Sequence, residues 1–362
     1  MAEKYRWQVA GNGNPFDSNL EFWDSNKMST RSIGVLEFFK ENGPITVSNY
    51  EESICNYLKE NYKLDENKSN KRHFYRPLEF VGFIRNIDDE LSLSVDGKNF
   101  LEAIKKKDYI KAKEFYLYQL LQSSYPNSAT KSVKLSLYPF RIIFKLLLEE
   151  PIPVEWFLYR IPYIRNYEDF KNRINIHEKE YDKWKTWVLP YWEKWNIIEY
   201  VTENDIEKIK LVENKRDFLN GFLKEETYEN MFFKTDFQYV STKSLKKHTR
   251  NYNLSVSVLE KSRYNCFFDK NHITFPSKSR PNYVEAHHII PLARENSFQS
   301  VKLDCKENII PLCPNCHRKI HYAKMKSKEN MLEHMLDHLL KFEKFKKLNL
   351  DINDLKEFYS IK

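Results

Sequence analysis

The chain has 362 residues, 41% of them hydrophobic and 15% aromatic, which is enough for packed cores in about two or three domains. Its 59 lysines and arginines exceed its 51 acidic residues, and the formal net charge of +8 suits a protein that meets a polyanion over part of its surface. This composition excludes a mainly disordered chain, and no stretch reaches the roughly 20 apolar residues of a membrane helix. The first residues lack the apolar core of a signal peptide, so we expect a cytoplasmic protein.

The N-terminal region begins with a polar arm at residues 1–30 and continues with a first folded unit at residues 31–110. Hydrophobic periodicity in this unit predicts three helices followed by two alternating strands, which is the order of a winged helix. The predicted elements are, in chain order, helices near 33–38, 50–62 and 71–81, strands near 83–85 and 91–95 with a turn between them, and a closing helix from 97 to 104.

The third of these helices opens with a cluster of basic residues. Lys71, Arg72, His73 and Arg76 lie in its first two turns, from which they could contact bases in the major groove of DNA. We therefore predict that they bind DNA. An α+β scaffold and a dimerisation module remain the alternatives for this unit.

A second unit, residues 111–225, has a similar order of elements. Helices are predicted at 138–148, 154–158 and 181–195, strands at 196–201 and 206–212, and a closing helix from 218. A connector over residues 226–262 carries a basic run at 241–250, which either contacts phosphates or is a solvated face. The spacing of apolar residues over 326–362 predicts one amphipathic C-terminal helix.

Four of the five cysteines lie in or beside a histidine-rich segment, residues 263–325, where a metal site is favoured over disulfides in a reducing compartment. Cys313-x-x-Cys316 is half of a tetrahedral zinc site, and Cys266 is the third expected ligand. The fourth ligand is open among three residues, His272, Asp269 and Cys305. We favour the histidine, because imidazole suits zinc beside thiolates better than a lone carboxylate does.

The same segment contains two closely spaced pairs of histidines. His287 and His288 are adjacent near the end of a predicted β segment, while His317 and His321 are four residues apart and share one face of a helix. Phosphodiester cleavage needs a base for water, a cation for the developing charge and correct positioning, and histidine can serve as base or as metal ligand. The spacing therefore predicts metal-assisted hydrolysis. A zinc module that only binds DNA would have no use for these histidines.

These residues resemble the HNH (ββα-metal) endonuclease family. The resemblance is carried by Glu-Ala-His-His-Ile-Ile-Pro-Leu at residues 285–292 and by Asn-Ile-Ile-Pro-Leu-Cys-Pro-Asn-Cys-His-Arg-Lys-Ile-His at residues 308–321. It implies a β-hairpin followed by a helix around one catalytic Mg²⁺ or Mn²⁺, with a structural Zn²⁺ nearby. The family's first zinc knuckle is altered in this chain, because Asp269 stands where the second cysteine is expected.

The resemblance also implies a role for each residue of the motif. His288 is expected to be the general base that activates water, and Asn308 to brace the loop that carries this base. His287 and His317 are expected to bind the catalytic ion. His321 is expected to be a third ligand of that ion or a contact to the scissile phosphate.

The sequence thus predicts an α+β, multidomain protein, with a mainly helical N-terminal region of winged-helix-like units and a C-terminal ββα-metal nuclease domain. The predicted activity is that of a sequence-specific, type II restriction-like endonuclease, able to cut outside its site, with double-stranded DNA as partner and no membrane. A homodimer is the assembly left open. The alternatives are a modification-dependent restriction nuclease with a pocket for a flipped base and a defence nuclease that requires a partner.

Overall fold

A computed structural model of the chain describes residues 15–16, 20–66, 71–87, 89–125, 129, 137–159, 161, 164, 166–172, 184–224, 226–232, 252–277, 281–298 and 301–359. The predicted basic run at 241–250 lies outside these residues. The chain divides into two compact units, Met1–Ser241 and Thr242–Lys362. The finer division into arm, two winged-helix-like units, connector, nuclease domain and C-terminal helix stays a prediction.

The first unit is mainly helical and contains two small antiparallel sheets. Its helices and strands are α1 (Lys27–Asn42), β1 (Ile45–Thr46), α2 (Val47–Tyr62), α3 (Lys71–Val81), β2 (Ile84–Ile87), β3 (Glu90–Leu93), α4 (Val95–Lys105), α5 (Tyr109–Gln122), α6 (Pro139–Glu149), β4 (Ile152–Pro153), α7 (Val154–Tyr159), α8 (Tyr167–Asn172), α9 (Leu189–Lys194), β5 (Ile198–Glu203), β6 (Ile206–Leu211) and α10 (Glu213–Leu223). Short 3-10 helices lie at Leu20–Ser25 and Tyr228–Met231, and a π-helical turn at Trp184–Val188 precedes α9.

The first sheet has the strand order β1-β3-β2, so the predicted hairpin gains a third strand. Within it, Ile45 pairs with Leu91, and Ile84 pairs with Leu93. The second strand ends earlier than expected, because the Oγ of Ser94 accepts a hydrogen bond from the N–H of Gly97 and caps α4. The residues after Ser94 therefore belong to a helix.

The second sheet repeats this arrangement, with the order β4-β6-β5. Its hairpin turns at Asn204 and Asp205, whose φ angles of 52° and 61° are those of a tight two-residue connection. In both sheets the first strand in the chain pairs with the third, and the third pairs with the second. This shared order is compatible with two winged-helix-like units, an assignment that stays a prediction.

Aromatic side chains from different parts of the first unit form one core. The ring of Phe16 lies 5.2 Å from that of Phe100 and 5.6 Å from that of Trp195, measured between centroids. Tyr116, on α5, is 5.0 Å from the same tryptophan. Phe16 is fully buried although it lies within the predicted arm, and α1 begins inside that arm, capped by Asn26. The end of the predicted polar arm is therefore part of the folded unit, because burying the Phe16 ring in the core is more favourable than exposing it to water.

The second unit is built around a β-hairpin followed by a helix. Its elements are α11 (Tyr252–Lys261), β7 (Glu285–His288), β8 (Ile309–Leu312), α12 (Pro314–Tyr322), α13 (Met325–Leu339), α14 (Glu343–Lys346) and α15 (Ile352–Phe358), with 3-10 helices at Leu292–Phe298 and Lys306–Asn308. The two strands are antiparallel, and Glu285 pairs with Leu312 while His288 pairs with Ile309.

The prediction of one C-terminal helix over residues 326–362 was wrong. The chain forms three helices, α13, α14 and α15. The extended backbone of Phe342 (φ −112°, ψ 124°) separates α13 from α14, and Asn349, with a left-handed φ of 48°, separates α14 from α15. Asp351 then starts α15 with a capping box shared with Asp354. In the described part of the chain, no helix combines the length and the apolar character needed to cross a membrane.

Candidate active site and zinc site

Three cysteines and one histidine of the second unit form a compact group. One ligand atom from each of Cys266, His272, Cys313 and Cys316 lies within 4.8 Å of the others. Cys313 is the N-cap of α12, and its Sγ accepts the N–H of Cys316 at 3.4 Å, so one tight turn presents both sulfurs. This set of soft sulfur donors with one imidazole fits a structural Zn²⁺.

The geometry separates the three candidates for the fourth ligand. Nδ1 of His272 lies 3.4 Å from Sγ of Cys316 and 3.7 Å from that of Cys313. Asp269 is outside the group, and its Oδ2 lies 3.6 Å from Nε2 of the same histidine, where it can orient the ring. Cys305 lies instead beside Lys344 and Glu307. Of the three candidates, His272 is the one whose ligand atom lies beside the sulfurs of Cys266, Cys313 and Cys316.

The charges of the sulfurs also favour a bound cation. Burial alone would raise the pKa of Cys266, but hydrogen bonds from the backbone of Cys313, from His272 and from the backbone of Phe268 lower it to about 7. Burial and the neighbouring sulfurs raise the pKa of Cys316. A second thiolate beside that of Cys266 is thus unfavourable in this pocket, and a divalent cation would offset the repulsion between the two charges.

Three histidines form a second group, at the junction of β7 and α12. Ligand atoms of His287, His317 and His321 all lie within 4.8 Å of one another. The ring centroid of His287 is 4.9 Å from that of His317 and 5.0 Å from that of His321. Because the latter two are one turn apart on α12, they face the same strand.

Neighbouring groups orient one of these rings and keep another neutral. Nδ1 of His317 lies 2.5 Å from Oε2 of Glu285, whose Oε1 accepts the hydroxyl of Tyr283 at 3.2 Å. A proton on Nδ1 leaves the lone pair of His317 on Nε2, the usual arrangement of a carboxylate-oriented metal ligand. Desolvation, His317 and Lys328 lower the pKa of His321 to about 4, so this ring is neutral at pH 7 and can bind a cation.

The donor set bears on the identity of the cation. Three imidazole nitrogens suit ions such as Ni²⁺ and Zn²⁺, whereas Mg²⁺ and Mn²⁺ prefer oxygen ligands. Mg²⁺ or Mn²⁺, the expected cofactors, would have to complete their coordination with water and phosphate oxygens. The three histidines therefore fit a divalent cation with open positions, and they favour transition metal ions over Mg²⁺.

His288 is the last residue of β7 and has a different partner. Its Nε2 lies 3.0 Å from Oδ1 of Asp304, and both side chains are largely buried. On a strand, neighbouring side chains point to opposite faces, so His288 does not share the face of His287. A proton donated from Nε2 to Asp304 leaves the lone pair on Nδ1, which is the orientation that a general base needs.

Asn308 is fully buried and fixes the loops around the histidines. Its Oδ1 accepts the N–H of Ile290 at 2.8 Å, and its Nδ2 donates to the carbonyls of Ile290 and Leu303, each at 2.9 Å. The side chain thus joins the segment after β7 to the segment before β8. Its contribution to catalysis stays a prediction.

Residues 269–323, which contain the hairpin, the helix and the histidine group, match the family model described as HNH endonuclease. This segment is an HNH domain. The chain is also 45% identical over 42 residues to the "Type IV methyl-directed restriction enzyme EcoKMcrA" of Escherichia coli (strain K12). That match covers 12% of this chain and only 13% of the relative. No solved structure matches the chain.

Sequence reasoning did not assign several residues that contact the histidines of the HNH domain. Glu285 lies two residues before His287 on β7, and the alternation of strand side chains would have placed both on one face. Asp304 and Tyr359 have no such signal, because they meet the histidines only through the tertiary fold.

The predicted DNA-binding residues lie in the other unit, at the start of α3. Nη1 of Arg76 lies 3.0 Å from Oε2 of Glu79, whose side chain is buried, so this arginine is partly held by the protein itself. Lys71, the first residue of the helix, is half-buried. The side chains of Arg72 and His73 lie outside the described part of the structure. DNA binding by these four residues stays a prediction.

We expect Asp304→Asn to lower the single-turnover cleavage rate by roughly 10²-fold, because an amide no longer holds His288 in the tautomer that a base requires. The folded state should change little, since the amide keeps the shape of the carboxylate. Asp337→Asn, at an exposed position of α13, is the matched control. A wild-type rate in the Asp304 variant would show that this carboxylate does not orient the base.

Proposed function

We propose that this chain is a metal-dependent DNA endonuclease of a restriction system, in which the first unit recognises DNA and the HNH domain cuts it. The proposal is carried by one observation. His288, which is oriented by the carboxylate of Asp304, directly follows His287 on β7, and His287 belongs to a cluster of three potential metal ligands. Phosphodiester hydrolysis requires both a base and a cation, and few other reactions require this combination.

The roles of the residues follow from their contacts. His288 takes a proton from water through Nδ1, and the resulting hydroxide attacks phosphorus while the bond from phosphorus to the leaving sugar oxygen breaks. His287, His317 and His321 would hold a divalent cation, which when bound supplies positive charge for the phosphate and the leaving oxygen. Asn308 keeps the segment after His288 in place.

DNA recognition is proposed for the first unit. The support is the repeated element order, in which a helix precedes each hairpin, together with the net positive charge of the chain. In winged-helix proteins this helix enters the major groove. Lys71, Arg72, His73 and Arg76, at the start of α3, would then contact DNA. A cytoplasmic location and a homodimer with one site for each strand belong to the same proposal.

A modification-dependent nuclease is the second candidate. The relative described above is named as a methyl-directed enzyme, and this favours a requirement for modified bases. The short match does not extend this property to the present chain. Both candidates share the HNH chemistry and differ in what the first unit recognises.

One digestion experiment tests the proposal and separates the candidates. Unmodified and methylated plasmid DNA would be incubated with the full chain and Mg²⁺, Mn²⁺ or Ni²⁺, and the ends of the products sequenced. We expect cleavage that depends on the cation and is stronger with Ni²⁺ than with Mg²⁺ or Mn²⁺.

Defined ends from unmodified DNA would support a sequence-specific enzyme. Cleavage of methylated DNA alone would support the second candidate. Failure to cut either DNA with any of the ions, by a folded protein that contains zinc, would overturn both.

A further inference from the structure

The C-terminal helices lie beyond the segment that matches the HNH family, yet Tyr359, the C-cap of α15, reaches the histidine cluster. Tyr359 is buried, and its Oη lies 2.7 Å from Nε2 of His287. The same oxygen lies 2.7 Å from the carbonyl oxygen of Ile289 and 3.3 Å from that of His288. The hydroxyl therefore sits between an expected metal ligand and the backbone that follows it.

The hydrogen-bonding capacity of these groups determines where the proton lies on His287. A tyrosine hydroxyl has one proton, and a carbonyl oxygen can only accept. The hydroxyl of Tyr359 therefore donates to Ile289, the closer carbonyl, and its own oxygen accepts from His287. Nε2 of His287 then carries the proton, and the lone pair of this ring is on Nδ1.

Tyr359 is itself held firmly in place. The ammonium group of Lys328, a fully buried residue of α13, donates to the carbonyl of Tyr359 at 2.7 Å and to that of Ile320 at 2.9 Å. Two residues before the tyrosine, Glu357 forms a largely buried ion pair with Arg294 at 3.1 Å. Lys328 thus joins α15 to α12, the helix with the other two histidines, and a buried charge is retained only with such partners.

We propose that Tyr359 is a positioning residue of the HNH site, whose hydroxyl holds His287 in the Nε2–H tautomer and so presents Nδ1 of that ring to the catalytic cation. Its role parallels that of Glu285 toward His317, but it comes from a helix outside the matched segment. The inference rests on the proposed function in one respect, that His287 is a ligand of the cation.

The first test is the affinity for a cation that suits imidazole. Ni²⁺ binding to the zinc-replete full chain would be measured by calorimetry for wild type, Tyr359→Phe, His287→Ala and the control Tyr264→Phe. We expect His287→Ala to abolish the site and Tyr359→Phe to weaken it by roughly 10- to 100-fold, as for other partners of metal-bound histidines. Tyr264→Phe, which removes a hydroxyl elsewhere in the same unit, should bind like wild type.

The second test reads the tautomer without the catalytic cation. Nitrogen-15 spectra of the imidazole rings, with His287 assigned by its loss in His287→Gln, should show a proton on Nε2 in the wild type. The Nδ1–H form should gain population in Tyr359→Phe. A wild-type ring protonated on Nδ1, or a Tyr359→Phe variant with wild-type affinity and tautomer, would overturn the proposal.

The two tests also separate this proposal from the proposed function. If His287→Ala binds Ni²⁺ as tightly as wild type, the ligand assignment falls, and with it the presenting role of Tyr359. If His287→Ala loses the site but Tyr359→Phe does not change affinity or tautomer, the endonuclease proposal stands and only the role of Tyr359 is refuted.

Discussion

Replacing His288 with alanine should lower the rate of DNA cleavage by roughly 10²–10⁴-fold, which is the range of general-base contributions. The change removes the imidazole that Asp304 orients and that we propose as the general base. It removes no ligand from the cysteine cluster or from the histidine cluster. We therefore expect bound zinc and DNA affinity to stay close to wild type, while the melting temperature falls because the buried carboxylate of Asp304 loses the imidazole of His288. Single-turnover cleavage with saturating cation is the appropriate measurement.

The control for this variant is His334→Ala, which removes an exposed histidine from α13 outside both clusters. It should cleave at the wild-type rate. If His288→Ala also cleaves at that rate, the base must be another group, and the interpretation of the hairpin as a hydrolytic site would have to be changed.

Replacing Cys316 with serine should release zinc and unfold much of the second unit. Structural zinc sites supply folding free energy directly, with apparent binding free energies on the order of 10 kcal/mol or more in small zinc domains. The serine oxygen is a poor substitute for a thiolate, and α12 would lose the anchor at its start. Elemental analysis should show zinc falling from about one ion per chain to almost none, and thermal unfolding should become less cooperative.

Two variants limit the interpretation of this result. Cys305→Ser alters a cysteine outside the cluster and should keep both zinc and the melting temperature. His317→Ala should keep zinc but lose cleavage, because it belongs to the histidine cluster. Wild-type protein purified without chelators that contains no zinc would contradict the assignment of the cysteine cluster.

The parts of the site that the sequence predicts are those encoded by local spacing. Cys313 and Cys316 share one turn, and His317 and His321 share one helical face, so their positions follow from backbone geometry. Asp304 contacts His288 from a loop, and Tyr359 contacts His287 from the end of α15. No periodic pattern in the sequence connects either residue to its histidine. They could not be assigned without the tertiary structure.

The same distinction applies to the fold. Helices α2, α3 and α6 and the two hairpins of the first unit are predicted from hydrophobic periodicity, whereas the 14-residue α5 is not. Strands β1 and β4 contain two residues each and have no period to detect. The breaks in the predicted C-terminal helix depend on the extended Phe342, the left-handed Asn349 and the cap at Asp351. Such single-residue signals are weak beside the apolar spacing of the surrounding helix.

The position of Cys313 links zinc binding to the order of the histidine cluster. This cysteine caps α12, a helix of 9 residues that is too short to be stable alone, and the same helix carries His317 and His321. A newly synthesised chain that has not yet acquired zinc would therefore lack an ordered His317 and His321, the two ligands proposed from this helix. Under the proposed function, a chain without zinc would not yet cut DNA, and zinc binding would be a condition for activity.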